Sequence, residues 1–407
     1  MDRLENQPWM NAPDTRAVVE ALSAGGSEVR FVGGCLRDAL VGRSVTDIDI
    51  ATPDPPARVI ELLQAAGLKA VPTGIEHGTV TAVSHHRPFE ITTLRHDVET
   101  YGRRAKVAFT DDWVADAARR DFTFNALSCT PDGRLYDPFG GRADLAAGRV
   151  CFVGKAEDRI REDVLRLLRF FRFYAHYGKP PADPEALAAV HVMAPLLPTL
   201  SGERIAKEIL KLLAAPDPAA VLALMRQQAV LMHVLPEATH LERLARLVEI
   251  EAAEGLAADP PRRLAALLAG PEAVGAVAGR LRLSNAIRDR MEAALQAPKP
   301  LPSLAADELK TLRYRLSAES YRDRALIAAA EGDSTAGDDW HRVFGFSDWQ
   351  PPRFPIRAQD ALDRGARPGP ELGQLMKELE TWWIARDFHP DRAACLVELA
   401  LRLARSG

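Results

Sequence analysis

The sequence predicts an α+β fold, a small mixed head of strands and helices followed by regions built from helices alone. Three observations predict it. Short apolar or alternating runs bounded by turn residues are confined to residues 1–150. Apolar positions recur at three- and four-residue spacing from about residue 155 to the C-terminus. A chain of 407 residues, 47% hydrophobic, can bury several cores.

In the head, Val29–Val32, Asp47–Ala51, Gly78–Val83 and Phe89–Thr93 read as strands, and Asp54–Ala66 as a helix with Pro55 and Pro56 near its start. VLRLLRFFRFYAHYG opens the helical part. Pro180–Pro184, Pro298–Pro302 and the Gly/Asp/Pro-rich stretch Gly332–Pro355 punctuate it. The expected division is a head over 1–150, a helical neck over 151–235, and a helical body and tail over 236–407.

The formal net charge of -4 announces no global field for nucleic acid, so any RNA contact must come from local basic surfaces. Cys35, Cys129, Cys151 and Cys395 are scattered without CxxC spacing, which argues against a zinc site or disulfide framework and fits a reducing compartment. The N-terminal MDRLENQPWMNAPDTR lacks the apolar core of a signal peptide, and no long uncharged apolar run follows, so the expected location is the cytoplasm.

The richest segment is FVGGCLRDALVGRSVTDIDIAT, residues 31–52. Phe31 and Val32 end a strand. Gly33-Gly34 turns the chain into a helix, bringing backbone N–H groups close to an anionic ligand. Arg37, on the first helical turn, can clamp a phosphate with its fork. Val45–Ile50 is expected as a strand, whose period of two puts Asp47 and Asp49 on one face and Ile48 and Ile50 in the core. Two crowded carboxylates repel unless a cation neutralises them. Mg²⁺, held by carboxylates together with substrate phosphates, is the natural choice. A bare Asp-x-Asp is usually a solvated edge; the glycine turn upstream supplies the phosphate partner that a metal needs. Glu90, on a later strand, is a candidate third carboxylate, or else the ion-pair partner of Arg95.

GGCLRD followed by DIDIA resembles motif A of the class II nucleotidyltransferases, the family of CCA-adding enzymes and bacterial poly(A) polymerases. The likeness continues in order through ARRDFTFNAL, YDPFGGRADL, REDVLRLLRFFRF and SGERIAKEILKLL, and so covers more than the first half of the chain. It implies a nucleotidyltransferase head with a neck, body and tail. The implied reaction is template-independent transfer of CMP and AMP from CTP and ATP to a tRNA 3′ end, with release of pyrophosphate. The implied partners are the 3′ end and acceptor region of tRNA, CTP and ATP, with no membrane and no DNA. It further implies that Arg119-Arg120-Asp121 contact the incoming ribose and triphosphate, that Asp163 and Arg166 read the base, and that Arg169 and Arg172 support the site and contact phosphate.

Chemistry supports that base-reading role. On a helix Asp163, Arg166, Arg169 and Arg172 recur every three residues on a related face. Read alone, they would form an ion pair and a basic solvated stripe. Ionised Asp only accepts hydrogen bonds, however, and Arg only donates, so side by side they imitate one edge of a base pair. Cytosine and adenine present an amino donor beside a ring acceptor and match that edge. Uracil and guanine set a carbonyl against the carboxylate, a mismatch of about 1–3 kcal/mol per unpaired group. In SGER, Ser201 reads as a helix N-cap.

The polar segment HDVETYGRRAKVAFTDDWVADAA sits where CCA-adding relatives carry a flexible loop, which argues against a CC-only enzyme; its YGRRAK departs from their usual run. VPTGIEHGTVTAV stands where poly(A) polymerases carry a basic-hydrophobic signature. RPGPELG at residues 367–373 resembles a helix-turn element of CCA-enzyme tails, and a plain interhelical loop explains it equally well. His96-Asp97 is an isolated pair without other histidines at helix spacing. Arg262, Arg263, Arg280, Arg282, Arg288, Arg290, Arg313, Arg315, Arg322 and Arg324 are expected on mostly solvated faces, a subset of them tracking RNA phosphates. Trp382 and Trp383 are expected in a core. The same-family rival is a poly(A) polymerase or A-adding enzyme; the rival of another class is a catalytically inactive RNA-binding protein on this fold.

Overall fold

The computed structural model describes residues 3–5, 7–101, 104–296, 301–332 and 340–406. Residues 298–300 of the proline break, 333–339 of the Gly/Asp-rich stretch, and Gly102 and Arg103 of the polar segment lie outside the described residues. The chain divides into two compact units, Met1–Ala245 with Ala258–Pro260 and Val277–Leu283, and Arg246–Ala257 with Pro261–Ala276 and Ser284–Gly407.

The first unit opens with helix α1 (Pro13–Ser23), then β1 (Arg30–Val32), α2 (Gly34–Leu40), β2 (Asp49–Thr52) and α3 (Pro56–Ala65). β3 (Lys69–Gly74), β4 (Thr79–Ser84) and β5 (Arg87–Thr93) follow. β6 (Arg95–Tyr101) and β7 (Arg104–Phe109) precede α4 (Trp113–Ala118), β8 (Ser128–Cys129) and β9 (Leu135–Tyr136). Seven strands form one mixed sheet in the order β3-β4-β5-β2-β1-β8-β9. Only β2 and β5 run parallel, and their register sets Asp49 directly beside Glu90. On β4, Val80, Ala82 and Ser84 point inward in strict alternation. Val80 and Ala82 join Ile50, Phe89 and Ile91 against Val18 and Leu22 of α1 and Val59 and Leu63 of α3, so the two helices are held by the sheet's apolar face.

Three expectations need correction. β2 begins at Asp49, so Asp47 lies on an exposed irregular segment before it. On the β1 side the ladder ends there, because β1 stops at Val32, whose register partner is Asp49, and the chain then turns at Gly33 (φ 72°). On the other side the pairing with β5 also starts at Asp49, opposite Glu90, although β5 itself continues back to Arg87. The polar segment after Arg95, expected as a loop, pairs with itself as the two-stranded β6–β7 ladder. The REDVLRLL run is two helices rather than one. α5 (Ala156–Glu162) stops at Asp163, which is extended (φ -149°, ψ 107°), and α6 (Leu165–Tyr177) follows. The Asp163 carboxylate accepts from the Leu165 N–H (3.1 Å), a local bond that competes with continuing the helix.

α6 buries Leu167, Leu168, Phe170, Phe171 and Phe173. Phe173 meets Phe122 and Phe124 edge-on with centroids 5.3 and 5.5 Å apart, and Phe152 packs on Phe122 at 4.8 Å. Such aromatic pairs contribute about 0.5–1.5 kcal/mol each beyond area burial. They fasten α6 to the segment that carries Asp121 and Asn125. α7 (Gly202–Leu213) packs alongside α6 through a stripe containing Ile205, Ile209 and Leu212.

Among the described residues no strand follows Tyr136. In the second unit Arg262 and Arg263, expected on a solvated face, are buried. Both donate to Glu251 at 2.7 Å, and Arg262 also reaches Asp323 (3.3 Å), which in turn accepts from Arg290 (2.6 Å). Arg313 and Arg324 are buried as well. Trp383 is a core residue, as expected, its indole N–H donating to the Pro390 carbonyl (2.9 Å). No single helix among the described residues is long and apolar enough to cross a membrane.

Candidate active site

The first unit holds a cleft of about 860 Å³ lined by the central strands β2 and β5 and by helix α6. Gly33, Gly34, Asp49 and Glu90 line it from the sheet side, Asp163, Arg166, Arg169 and Arg172 from α6 and the break before it, and Arg119, Arg120, Asp121 and Asn125 complete the lining. Arg37, His176, Tyr177 and Lys211 also line it. Of the predicted residues, therefore, only Asp47 stands outside the lining.

The glycine turn is built for close approach. Gly33 has a positive φ, and a Cβ there would stand 3.0 Å from a guanidinium nitrogen of Arg120. Only glycine fits both demands. Asp49 sits at the start of β2 beside Glu90, with Arg120 and Arg37 nearby. Burial first, and then the charges of Glu90 and Asp47, push its carboxyl up to about 6 despite those arginines. The negative charges here are thus under-compensated by protein groups. Glu90, on its parallel neighbour strand, belongs to this cluster, while Asp47 contributes charge from the exposed segment.

The central arginines are anchored by two acids, Asp121, which the sequence had marked as a ribose and triphosphate contact, and Asp116, which it had not. Asp116, buried, accepts from Arg119 (2.7 Å) and Arg120 (3.3 Å). Those two guanidinium groups outweigh burial and hold its carboxyl below the usual range. Asp121 is buried with both oxygens engaged. One accepts from the Phe122 N–H (3.0 Å) and Asn125 (2.9 Å), the other from Arg169 (2.5 Å). Although burial opposes it, Arg169 and Asn125 keep this carboxyl low as well. Asp121 therefore serves first as the internal anchor of α6; a ribose hydroxyl would have to share oxygens that already have partners.

Asp163 occupies the break between α5 and α6, and Arg204 of α7 donates to both its oxygens (2.7 and 3.0 Å). Arg166 donates to Glu162 (2.5 Å) and to the carbonyls of Arg159 (3.2 Å) and Arg119 (2.9 Å). Three of its five N–H groups are thereby used, leaving two. Arg172 pairs with buried Glu208 (3.1 Å), and burial together with neighbouring Arg169 lowers it to about 10. Ser201 takes the N-cap position of α7, as expected. Arg204 lay in plain view within SGER, but its partner is 41 residues away, and nothing local marks the pairing.

The cleft thus combines an anion-compatible glycine turn, a crowded pair of carboxylates and an acceptor–donor pair. A family model described as "Poly A polymerase head domain" matches residues 29–151, and one described as "Probable RNA and SrmB- binding site of polymerase A" matches residues 182–241. The mitochondrial CCA tRNA nucleotidyltransferase 1 of Mus musculus is 34% identical over 380 residues, covering 90% of this chain and 85% of its own length. The CCA-adding enzyme of Levilactobacillus brevis is 31% identical over 378 residues, covering 90% of this chain and 91% of its own length. Among solved structures, the Bacillus stearothermophilus CCA-adding enzyme in complex with CTP superposes with a TM-score of 0.77 at 26% identity, covering 98% of this chain and 99% of that one. Similarity of this extent, over nearly the full length of both chains, shows that the chain belongs to the CCA-adding tRNA nucleotidyltransferase family.

Proposed function

We propose that this chain adds C, C and A to the 3′ end of tRNA, drawing CMP and AMP from CTP and ATP, releasing pyrophosphate, and choosing each base without a nucleic-acid template. The observation that carries the proposal is that Asp163 and Arg166 line the same cleft as Asp49, Glu90 and the glycine turn. A nucleotide bound in the cleft would have its phosphates at the glycine turn and its base at Asp163 and Arg166. Gly33, Gly34 and Arg37 hold the triphosphate, and Arg120 and Asp121 orient the sugar end. Asp163 accepts from the exocyclic amino group of cytosine or adenine while Arg166 donates to the adjacent ring nitrogen. Arg169 ties α6 to Asp121, and Arg172 supports it through Glu208.

The carboxylates suit a hard divalent cation, Mg²⁺ by preference. They are oxygen donors whose mutual repulsion Arg120 and Arg37 offset only in part, and among the described residues no group of three or more His, Cys, Asp or Glu forms a metal cage by itself. Substrate phosphates complete the coordination of Mg²⁺ in such sites. Asp49 and Asp47 would hold it together with the substrate phosphates, and Glu90 adds negative charge beside them; when bound, the ion supplies charge for activating the primer hydroxyl and for the departing pyrophosphate. A cytoplasmic location accords with four cysteines that are all free, and cell fractionation tests it.

The functional test uses tRNA lacking its last three nucleotides. CTP alone should extend it by two residues, and CTP with ATP by three, with extension then stopping. Incorporation of ATP without prior CTP, or an unbounded A tail, would replace this reading with the polyadenylating one.

A further inference from the structure

The proposed triphosphate arginine, Arg37, does not stand free at the glycine turn. Asp38 grips its Nε and one terminal nitrogen, both at 3.1 Å, and Asn125 accepts from the other terminal nitrogen at 2.8 Å. Three of five N–H groups are spent on positioning, leaving two for a ligand. The guanidinium lies 4.6 Å from the ring of Tyr177 and 5.0 Å from that of Phe173. Asp38 is itself pinned, because the Tyr177 hydroxyl donates to the carboxylate oxygen that accepts from Arg37 Nε, at 2.5 Å. Arg43 closes the arrangement, its guanidinium 4.3 Å from the opposing Tyr177 ring and donating to the His176 carbonyl (2.6 Å).

Tyr177 is the last residue of α6, the helix whose first turn carries Arg166. A ring held by two arginines, with its hydroxyl on the acid that orients one of them, is more than packing. A phenylalanine would fill the same space and keep both ring contacts, but it would leave the Asp38 carboxylate held only by the Arg37 fork that it orients, with no anchor on α6.

We propose that Asp38 and Tyr177 are positioning residues for the triphosphate, a clasp by which the far end of the base-reading helix sets the direction of the Arg37 fork. This rests on Arg37 being a triphosphate ligand, as proposed above. The clasp acts on the part common to all nucleotides, so losing it should weaken CTP and ATP alike and leave base choice untouched. Its effect is the loss of a hydrogen bond that buttresses a ligand contact, smaller than the loss of the contact itself.

The experiment compares Tyr177→Phe, Asp38→Asn and Arg37→Ala in the full-length chain, measuring KM and kcat for CTP and ATP, inhibition by pyrophosphate, and the CTP-to-UTP ratio of kcat/KM. Tyr177→Phe should raise both KM values about three- to tenfold and weaken pyrophosphate inhibition by a similar factor, with kcat and the CTP-to-UTP ratio within about twofold of wild type. Asp38→Asn should do the same more strongly. If Arg37→Ala raises KM and weakens pyrophosphate while Tyr177→Phe changes neither, the clasp is wrong and the reading of Arg37 stands. If Arg37→Ala itself leaves KM and pyrophosphate inhibition unchanged, the underlying reading fails. A fall in the CTP-to-UTP ratio in Tyr177→Phe would overturn the clasp in favour of a general loosening of α6, which must disturb Asp163 and Arg166 together.

Discussion

Single side chains in the cleft have partners that make their proposed roles separable by mutation. Asp49 has the negative charges of Glu90 and Asp47 beside it. Asp49→Asn should abolish transfer by three orders of magnitude or more while tRNA affinity, measured by filter binding, stays within a few-fold; retained activity would remove the acid from the reaction. Arg204 grips Asp163 from α7. Arg204→Ala should let that carboxylate swing, raising UTP incorporation relative to CTP by about three- to thirtyfold while Arg204→Lys restores part of the preference. A parallel loss for all nucleotides would make Arg204 merely structural. The spacing behind the glycine turn marked Asp49, and the resemblance to the family's ordered motifs marked Asp163 and Arg166; all three line the cleft. The sequence could not reveal Arg204, Asp116 or Tyr177, since those roles exist only through partners brought together by folding.

Elements explain where the reading went astray. Three-residue β1 ends opposite Asp49, pairing with β5 starts there too, and Asp47 is left outside the strand. Period two was the right rule for a strand, applied to residues 45–48 ahead of this one. The helix break at Asp163 was hidden by the unbroken three-residue spacing of Asp163, Arg166, Arg169 and Arg172, which a helix and a helix with a capped start display alike. The fold class, the sheet strands β1, β4 and β5, and α3 were legible because their apolar alternation or spacing is strong. Lys69–Gly74 was not, being half-buried to exposed on an edge. Helix α6 also has a pH signature through Asp121. Its carboxyl is held low in the folded state, so its contribution is present above the unfolded value near 4 and is lost as pH falls through the folded one. Asp121→Asn should therefore cost about 1–3 kcal/mol in urea unfolding at pH 7, and the gap to wild type should shrink toward pH 3. An equal gap at both pH values would contradict the ion pair with Arg169.

For the whole molecule, a net charge of -4 makes RNA binding a matter of local basic surface. Several arginines that looked available are committed internally, as the burial of Arg262 and Arg263 against Glu251 shows. tRNA affinity should accordingly fall with salt on a shallow log–log slope, of magnitude about 3–5; a slope near 10 would require a far more extensive phosphate track. What unites the molecule's proposed action is that its own side chains serve as the template. The most direct measurement is the ratio of kcat/KM for CTP over UTP in the wild type and in Asp163→Ala, on tRNA lacking its last three nucleotides. The wild type should reject UTP strongly, and Asp163→Ala should cut the ratio by about ten- to a hundredfold. A ratio unchanged by the substitution would contradict the account, because base choice would then reside somewhere other than this acid.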